Sequence, residues 1–399
     1  MKENKTKPDI RFKGFTEAWE QRKLGDIVQI TMGQSPNGET YSEEPSTYIL
    51  VQGSADLNNG WVVPRVWTTQ LTKQADKGDL IMSVRAPAGT MGKTAYNVVI
   101  GRGVAAIKGN EFIFQSLVKM DESGYWKRLS TGSTFESLNS DNIKNAIMYV
   151  PSKEEQSKIG TNFSNLDNLI TLHQRECDQL KELKKSMLKK MFPRDGSSIP
   201  EVRFAGFTDA WEQRKFSDLV TIERGGSPRP IDKYITNDKN GLNWIKIGDA
   251  PEQGNYITQT AEKIKPEGLA KTREVHPGDL ILSNSMSFGR PYIMAIDGCI
   301  HDGWLAIRDT EKNFDLKFLC TLLGTDNMLN QYKSMAAGST VNNLNKELVG
   351  GTKVLLPIMN EQVQIGQYFS QIDNLINLHQ RELEILKNLK KTCLKRMFI

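Results

Sequence analysis

The sequence predicts an α+β protein in which two strand-rich α/β domains lie at opposite ends of an antiparallel two-helix coiled coil, as a pseudo-two-fold internal repeat. Residues 10–23 return almost letter for letter at 202–215, and residues 166–176 return at 372–382 with nine of eleven positions identical. Apolar residues then recur at alternating spacings of four and three after each strand-rich segment, which is the pattern of a coiled coil. A repeat of this length predicts two copies of one structural unit.

Composition describes an ordinary globular protein of two or three domains: 399 residues, of which 38% are hydrophobic and 25% charged. No apolar run is long enough to span a bilayer, and no apolar segment of a secretory signal follows Met1, so we expect a cytoplasmic protein. The net charge of +5 excludes a polycation, so any nucleic-acid surface would be local. The four cysteines lack CxxC spacing, and we expect no metal site.

Each half begins with short strand candidates separated by glycine-containing turns. In the first half the candidates are Asp26–Thr31, Thr47–Gln52, Asp79–Arg85, Thr94–Ile100, Val104–Lys108 and Ala146–Val150, with a helix at Phe114–Leu129. In the second half they are Asp218–Glu223, Asn243–Ile247, Asp279–Ser283, Tyr292–Ile296, Trp304–Arg308 and Lys353–Leu356, with a helix at Asp315–Met335.

A long amphipathic helix follows each strand-rich segment and spans more than four heptads. The seam residues that we expect to pair the helices and to support partner docking are Phe163, Leu166, Ile170, His173 and Leu180, with Phe369, Ile372, Ile376, His379 and Leu386. A helix of about 39 residues is roughly 58 Å long. Because the linker after the first helix is short, parallel pairing would need a reach of about that length, and antiparallel pairing is predicted.

Catalytic motifs are nearly absent. Residues 87–94 resemble a phosphate-binding loop, but proline occupies the place of its first glycine, and the equivalent segment 287–292 has no Gly-Lys-Thr. The sequence also lacks an adenine-methyltransferase tetrapeptide, Gly-x-Ser-x-Gly and His-Glu-x-x-His. The sequence therefore predicts no catalytic residues. The imperfect phosphate-binding loop at 87–94 is the one feature that would favour an enzyme.

Polar loops recur in both halves, and glycine beside hydroxyl residues suits phosphate contacts. Arginine and lysine can also donate to guanine edges. Ordinary turns and helix caps are the alternative explanation for these loops. The candidate DNA-binding residues are Ser35, Arg85, Lys93, Ser133, Thr134, Ser227, Arg229, Lys233, Arg290, Ser339 and Thr340.

Three features occur in the same order in both halves. They are the openings Trp19–Asp26 and Trp211–Lys215, the Gly-Ser-Thr…Leu-Asn loops at 132–139 and 338–345, and the segments 151–156 and 357–362 that lead from proline to Glu-Gln and into the helices. In this duplicated order they resemble the specificity subunits of type I restriction–modification enzymes. The resemblance covers essentially the whole chain.

The resemblance implies target-recognition domains at residues 1–150 and 194–357, and spacer helices at 151–193 and 358–399. Each domain would recognise one half of a split, asymmetric site in double-stranded DNA. The chain would have no catalysis and no bound cofactor of its own. Two methylation subunits that use S-adenosylmethionine would dock on the repeated helices, and two translocase–endonuclease subunits that use ATP and Mg would join them.

Two other functions stay open on the sequence. A stand-alone, two-headed DNA-binding regulator would also carry two recognition domains, although its repeated docking helices would then have no purpose. A nuclease or nucleotide-dependent enzyme would depend on the imperfect loop at 87–94. Co-purification with methylation subunits distinguishes the first function from both alternatives.

Overall fold

The structure is a computed structural model that describes residues 6–129, 137–194, 196–284, 288–336 and 343–399. The chain divides into two compact units, the first formed by residues 1–174 with 382–399 and the second by residues 175–381. Each unit therefore combines a strand-rich segment with parts of both long helices. The domain boundaries predicted at residues 150, 193 and 357 remain predictions, because the compact units are not divided at the ends of the helices.

The first strand-rich segment contains thirteen short strands and four short helices among its described residues. The strands are β1 Glu20–Lys23, β2 Gln29–Met32, β3 Tyr41–Ser42, β4 Tyr48–Val51, β5 Leu57–Asn58, β6 Trp61–Val62, β7 Val66–Thr68, β8 Gln74–Ala75, β9 Leu80–Ser83, β10 Met91–Lys93, β11 Val98–Ile100, β12 Val104–Lys108 and β13 Ile147–Val150. The helices are α1 Leu24–Ile27, α2 Glu111–Glu122, α3 Tyr125–Leu129 and α4 Ser140–Lys144, followed by the long helix α5 Lys153–Met191.

These strands form three sheets, ordered β1-β13, β2-β12-β9-β10-β6-β5 and β3-β7-β4-β11-β8. In the six-stranded sheet β12 is antiparallel to both neighbours, so that Ala105 lies opposite Met32 on one side and Met82 on the other. The carboxyl ends of β2 and β9 and the start of β12 therefore meet at one side of the sheet. We call this side, with the loops that leave it, the loop edge.

The second unit repeats this plan with twelve strands in the part that the structure describes. They are β14 Glu212–Lys215, β15 Thr221–Arg224, β16 Ile235–Thr236, β17 Leu242–Ile245, β18 Tyr256–Ile257, β19 Glu262–Ile264, β20 Arg273–Val275, β21 Leu280–Ser283, β22 Pro291–Met294, β23 Gly298–Ile300, β24 Trp304–Arg308 and β25 Lys353–Leu356. The helices are α6 Leu316–Leu323, α7 Asp326–Ala336, α8 Lys346–Gly350 and the long helix α9 Met359–Met397. The sheets are ordered β14-β25, β15-β24-β21-β22-β18 and β16-β19-β17-β23-β20.

An aromatic cluster holds helix segments against the sheets in each unit. In the first unit the Phe112 ring lies 5.5 Å from Trp19 and 5.2 Å from Phe398, between ring centroids. In the second unit Phe318 takes the same place, 5.9 Å from Trp211 and 5.8 Å from Phe192. Full burial of each such side chain contributes about 1.5–3 kcal/mol. The residue after each long helix is thus part of a domain core.

A buried ion pair joins the N-terminal block of each unit to the first turn of the following helix. Arg11 donates two hydrogen bonds to Glu155, at 2.6 and 2.7 Å, and the Glu155 side chain is 1% exposed. Arg203 donates to Glu361 in the same way, at 2.6 and 2.8 Å. Hydrogen bonding to the carboxylate raises the pKa of each arginine. Bidentate geometry of this kind compensates the loss of hydration that burial imposes.

The long helices contain 39 residues each, and their segments run antiparallel inside each unit. In the first unit Asp167 accepts from Lys390 at 2.6 Å, and the later residue His173 lies 3.2 Å from the earlier residue Glu382. In the second unit Lys184 pairs with Asp373 at 2.5 Å, and His379 lies 3.2 Å from Glu176. The predicted α+β class and the antiparallel pairing are therefore confirmed. Among the described residues, no helix has the length and apolar character needed to cross a membrane.

The helix predicted at Phe114–Leu129 is wrong as one continuous element. The structure has α2 and α3, separated at Ser123 and Gly124. Gly124 has a φ of +70°, a left-handed conformation that favours glycine and ends a helix. The helix predicted at Asp315–Met335 is likewise divided between α6 and α7.

We expect Glu155→Gln to lower the free energy of unfolding by about 3 kcal/mol, because the Arg11 guanidinium would keep its buried position without a charged partner. The matched control is Glu154→Gln, the same substitution at the exposed preceding residue, for which we expect a loss below about 1 kcal/mol. Thermal unfolding of the full chain measures both. Equal losses in the two variants would contradict a dominant role for the buried pair.

Candidate nucleic-acid interface

Three loops of the first unit are held together at its loop edge. Gly33–Pro36 follows β2, residues 84–90 follow β9, and residues 101–103 precede β12. Backbone hydrogen bonds join Gly33 to Val104 at 3.0 Å and Val84 to Gly103 at 2.8 Å. The Ser35 hydroxyl accepts a hydrogen bond from the Arg102 backbone N–H at 3.1 Å. The three loops therefore form one polar surface.

Arg85 and Arg102 are the exposed cations of this surface. Within the part of the chain that the structure describes, neither guanidinium has an ion-pair or hydrogen-bond partner. A guanidinium in this state can donate to phosphate oxygens or to the O6 and N7 atoms of guanine. The first loop edge thus presents two donors on a rigid backbone.

The loop edge of the second unit has the same backbone frame. Gly225 donates to the Trp304 carbonyl at 2.9 Å, as Gly33 does to Val104. Here the Ser227 hydroxyl donates to the Asp302 carboxylate at 2.6 Å. Burial by itself raises the pKa of Asp302, but the hydrogen bond from Ser227 and the positive charges of His301 and Arg224 lower it below the ordinary value of 3.8. The second edge therefore carries an ionised carboxylate at the place that Arg102 occupies in the first.

The carboxylate also lies 2.9 Å from the Nε2 atom of His301, and Asn284 binds the backbone next to it. The Asn284 side chain donates to the Asp302 carbonyl at 2.8 Å, and its backbone N–H donates to the Gly303 carbonyl at 2.9 Å. Arg229 and Lys233 follow Ser227 along the chain, and both are exposed. Of the candidates in the second unit, Ser227, Arg229 and Lys233 belong to the segment that leaves this edge after β15.

The structure places Lys93 away from the loop edge. Lys93 lies opposite Leu80, at the other end of β9. Its ammonium donates to Glu111 at 2.9 and 3.2 Å and lies 4.9 Å from the Trp61 ring centroid. This cation has its partners inside the domain and serves packing. The same contacts leave no free lysine for the phosphate-binding loop considered at residues 87–94.

Arg290 lies beside the C-terminal end of β21, where its carbonyl accepts a hydrogen bond from the Ser283 N–H at 3.0 Å, but its side chain has its partners inside the domain. Its guanidinium donates to the backbone carbonyls of Glu252 at 2.8 Å and Gly254 at 3.2 Å, and it lies 5.0 Å from the Tyr292 ring centroid. Arg290 therefore fixes the turn before β18. It also lines a cavity of about 730 Å³ together with Lys181 and Lys184 of α5.

Ser133, Thr134, Ser339 and Thr340 lie outside the described residues. The chain that follows them is at the loop edge in both units, where Leu138 donates to the Val84 carbonyl at 2.9 Å and Leu344 to the Asn284 carbonyl at 3.0 Å. Asn139 and Asn345 then cap α4 and α8 by accepting backbone hydrogen bonds at 2.8 Å. The capping role considered for these asparagines is therefore present.

The seam residues lie between the helix segments of each unit. Phe163 and Leu166 are buried in the core of the first unit, where Leu386 packs against the same cluster. Ile372 and Ile376 are buried in the second unit against Cys177 and Leu180. The remaining seam candidates are Phe369, which is buried, and Ile170, His173 and His379, which are half-buried.

A stripe of large apolar side chains is exposed on the helix segments. In the first unit it comprises Leu169, Leu172, Ile385 and Leu389, with exposed fractions of 43, 50, 57 and 47%. In the second unit it comprises Leu183, Leu375 and Leu378. Gln115 of α2 donates to Asp167 at 2.8 Å and marks the side of α5 that faces the strand-rich segment. Helical periodicity puts Leu169 and Leu172 on the opposite side, so this leucine stripe is free to bind a partner.

Sequence reasoning missed two residues of the second loop edge, Asn284 and Asp302. Their roles depend on contacts between loops that are distant in sequence. One signal could have found Asp302: it precedes Gly303 as Arg102 precedes Gly103, and both dipeptides lead into a predicted strand. Comparison of the two repeats would therefore have pointed to this position.

Comparisons with known proteins point to one family. A family model described as the type I restriction modification DNA specificity domain matches residues 16–182 and 208–388. The type I restriction enzyme MjaVIII specificity subunit of Methanocaldococcus jannaschii is 24% identical over an alignment 406 residues long, which covers 94% of this chain and 91% of that protein. A protein of the same organism named after the type I restriction enzyme MjaX is 30% identical over 180 residues, which cover 43% of this chain and only 42% of that protein.

A solved structure extends the likeness to the fold. The crystal structure of a type I restriction–modification S subunit from M. genitalium matches with a TM-score of 0.70 over 98% of this chain and 99% of that chain. Its sequence identity of 16% means that the likeness concerns the fold alone.

We expect Gly33→Ala to destabilise the first loop edge by about 1–3 kcal/mol, because the new Cβ would overlap backbone. An ideal Cβ at Gly33 lies 2.1 Å from the Gly101 carbonyl oxygen, and one at Gly225 lies 2.2 Å from the His301 carbonyl oxygen. Gly53→Ala is the control, since nothing lies within 4 Å of its Cβ position and its φ of −178° is extended. Calorimetry compares the variants, and a loss as large for Gly53→Ala would contradict the close-approach argument.

Proposed function

Because the chain belongs to the family of type I restriction–modification DNA specificity subunits, we propose that each of its two units recognises one half of a split, asymmetric target in double-stranded DNA. The observation that carries this proposal is the pair of loop edges with one backbone frame and unlike side chains. Gly33 and Gly225 donate the same backbone hydrogen bond, and Ser35 and Ser227 take equivalent positions but bind different groups, the Arg102 N–H and the Asp302 carboxylate. In this proposal the common backbone frame holds the side chains in place, and the side chains distinguish one DNA sequence from another.

The two edges differ in the charges that they present at equivalent positions. The first presents Arg102 where the second presents Asp302, and Gln52 after β4 corresponds to Lys246 after β17. Arginine favours the acceptor pattern of guanine, and a carboxylate favours the amino group of cytosine. Unlike donors and acceptors at equivalent positions support two different half-sites. An asymmetric target follows.

We propose that the chain itself catalyses nothing and directs partner subunits to the target. Two methylation subunits would dock on the leucine stripe of the helix segments and supply S-adenosylmethionine. Two translocase–endonuclease subunits would add ATP-dependent restriction with Mg. The exposed leucines of each unit support the docking step, because apolar side chains that face water on a helix gain free energy when a partner covers them.

The half-site proposal predicts that Arg85→Ala with Arg102→Ala changes recognition of one half-site only. Each lost base contact should weaken the free energy of DNA binding by about 1–3 kcal/mol. Each lost phosphate contact should reduce the slope of log K against log salt concentration by about 1. The assay maps N6-methyladenine in the genome of cells that co-express the chain with a type I modification subunit. The matched control is Arg65→Ala, an arginine of the same unit whose guanidinium is bound to the Ala55 carbonyl at 2.9 Å.

Exchange of residues 24–150 or 216–356 for those of another specificity subunit tests the same proposal more severely. We expect each exchange to replace one half of the methylated motif and to leave the other half unchanged. A single continuous motif, or a change in both halves at once, would contradict the assignment of one half-site to each unit. Specific DNA binding by the chain without any associated subunit or methylation would instead favour a stand-alone regulator.

The docking proposal predicts that Leu172→Glu weakens binding of a modification subunit without changing thermal stability. A charge in the stripe would be buried by the partner, and an unpaired buried charge costs several kcal/mol. Leu71→Glu is the control, because Leu71 and Leu172 are both 50% exposed and Leu71 lies outside the helices. Pull-down from co-expressing cells measures binding, and equal binding by both variants would contradict docking on the stripe.

A further inference from the structure

Two exposed strands have the same sequence in both units. Strand β1 is Glu20-Gln21-Arg22-Lys23, and β14 is Glu212-Gln213-Arg214-Lys215. All eight residues are exposed. Exposed positions tolerate most substitutions within about 0.5 kcal/mol. Folding therefore gives no strong reason for four consecutive exposed residues to agree.

The segments around these strands are repeated less regularly: the buried Trp19 and Trp211 directly before them are identical, but the residues after and beside them differ. Leu24, fully buried after β1, corresponds to Phe216, fully buried after β14. The partner strand β13 reads Ile147-Met148-Tyr149-Val150, and its counterpart β25 reads Lys353-Val354-Leu355-Leu356, with no identical position. Some core positions next to the strands therefore differ between the units, whereas all four exposed positions of the strand agree.

Contacts inside the chain do not explain the identity. Lys23 donates to Asn145 at 3.0 Å, and Tyr149 donates to Gln21 at 3.5 Å. In the second unit Gly351 and Leu355 occupy the positions of Asn145 and Tyr149, so neither bond can form there. The contact common to both is the ion pair between the first and third residues, at 3.5 Å for Glu20–Arg22 and 3.4 Å for Glu212–Arg214. An exposed pair of this kind contributes about 0–1 kcal/mol.

The strands are remote from the loop edge and close to the helix ends. After β1 the chain passes through α1 and then along β2 before it reaches the loop at Gly33. Trp19, directly before β1, packs 6.3 Å from Phe398, directly after α9. Strand β13 leads within three residues into α5. A duplex on the loop edge does not explain these strands, whereas a protein on the helix segments is their neighbour.

We propose that β1 and β14 are a second, charge-patterned contact for the modification subunit, one copy of which binds at each strand. Two identical surfaces fit a partner that is present twice and presents the same face to both. Among the described residues, each strand pairs with one neighbour, β13 or β25, in a two-stranded sheet. Its outer edge therefore offers backbone donors and acceptors beside the Glu-Gln-Arg-Lys side chains. The proposal rests on the proposed function and adds a second contact to the leucine stripe.

The partner's chemistry follows from the alternation of charge along the strand. Glu20 and Arg22 project from one face of β1, and Gln21 and Lys23 from the other. A partner surface with a basic group opposite Glu20 and an acidic group opposite Arg22 would match this pattern. Reversed pairing brings like charges together, which costs several kcal/mol at an interface.

The test exchanges the two charges within the strand. Glu20→Arg with Arg22→Glu keeps the internal ion pair and the net charge but reverses the pattern that a partner meets. The matched control is Lys13→Glu with Glu17→Lys, an exchange of exposed charges in the same block. It includes one position, Lys13, at which the repeat has Ala205. A type I modification subunit from the same genome is the probe, and native mass spectrometry of the full-length complex gives its stoichiometry.

We expect two modification subunits per chain for the wild type and the control, one for the exchange in β1, and none for exchanges in both strands. At each altered strand the dissociation constant should rise at least about tenfold. Melting temperatures should stay unchanged, because the altered side chains are exposed. Arg22→Lys, which keeps the charge, should retain the second copy of the subunit.

Three outcomes would overturn this inference. Two subunits bound with unchanged affinity after both exchanges would refute the strand contact and leave the proposed function standing, provided that Leu172→Glu still weakens docking. Loss of only the translocase–endonuclease subunits from the assembled complex would assign the strands to that partner instead. Absence of any modification subunit on the wild-type chain would refute both this inference and the docking proposal from which it starts.

Discussion

Each unit depends on a buried ion pair between its N-terminal block and its long helix. Arg11 and Glu155 join at 2.6 Å, as do Arg203 and Glu361. A carboxylate with 1% or less exposure is stable only when it is paired, since burial of an unpaired charge costs several kcal/mol. The chain before β1 must therefore return to the first turn of α5. That return places Trp19 in the core and β1 beside β13.

The ion pair, Trp19 and the paired strands β1 and β13 lie away from the loop edge. The side chains of the loop edge can therefore change without disturbing these contacts. Gly33 and Gly225 keep the adjoining loops in backbone contact, so the surface holds its shape when its side chains change. Arg102 can then be replaced by Asp302 without disturbing the bonds that Gly33 and Gly225 donate. A recognition protein needs this separation, because a new target requires new side chains on an unchanged frame.

The sequence predicts those parts of the fold that local pattern determines. Val104–Lys108, Trp304–Arg308 and Lys353–Leu356 are strands with the predicted bounds, because each is a compact run of strand-forming residues. Two-residue strands such as β5 and β6 form only because neighbouring strands bind them, and they are too short to show an alternation of apolar and polar residues. The candidate site divides in the same way. Ser35 and Ser227 follow from the repeat, whereas the engagement of Lys93 by Glu111 depends on a contact between segments that no spacing encodes.

Charged residues in the helices determine a register that the heptad pattern leaves open. A seam of apolar residues tolerates a slip of seven residues, since equivalent positions meet again. Lys390, whose side chain is 19% exposed, faces Asp167; a slip of one heptad would bring it opposite Gly160 or Gln174. Lys184 faces Asp373 and would meet Gly366 or Gln380. His173 would lose Glu382 and face a leucine in either direction. Each half-buried lysine thus selects one register of the helix segments within its own unit.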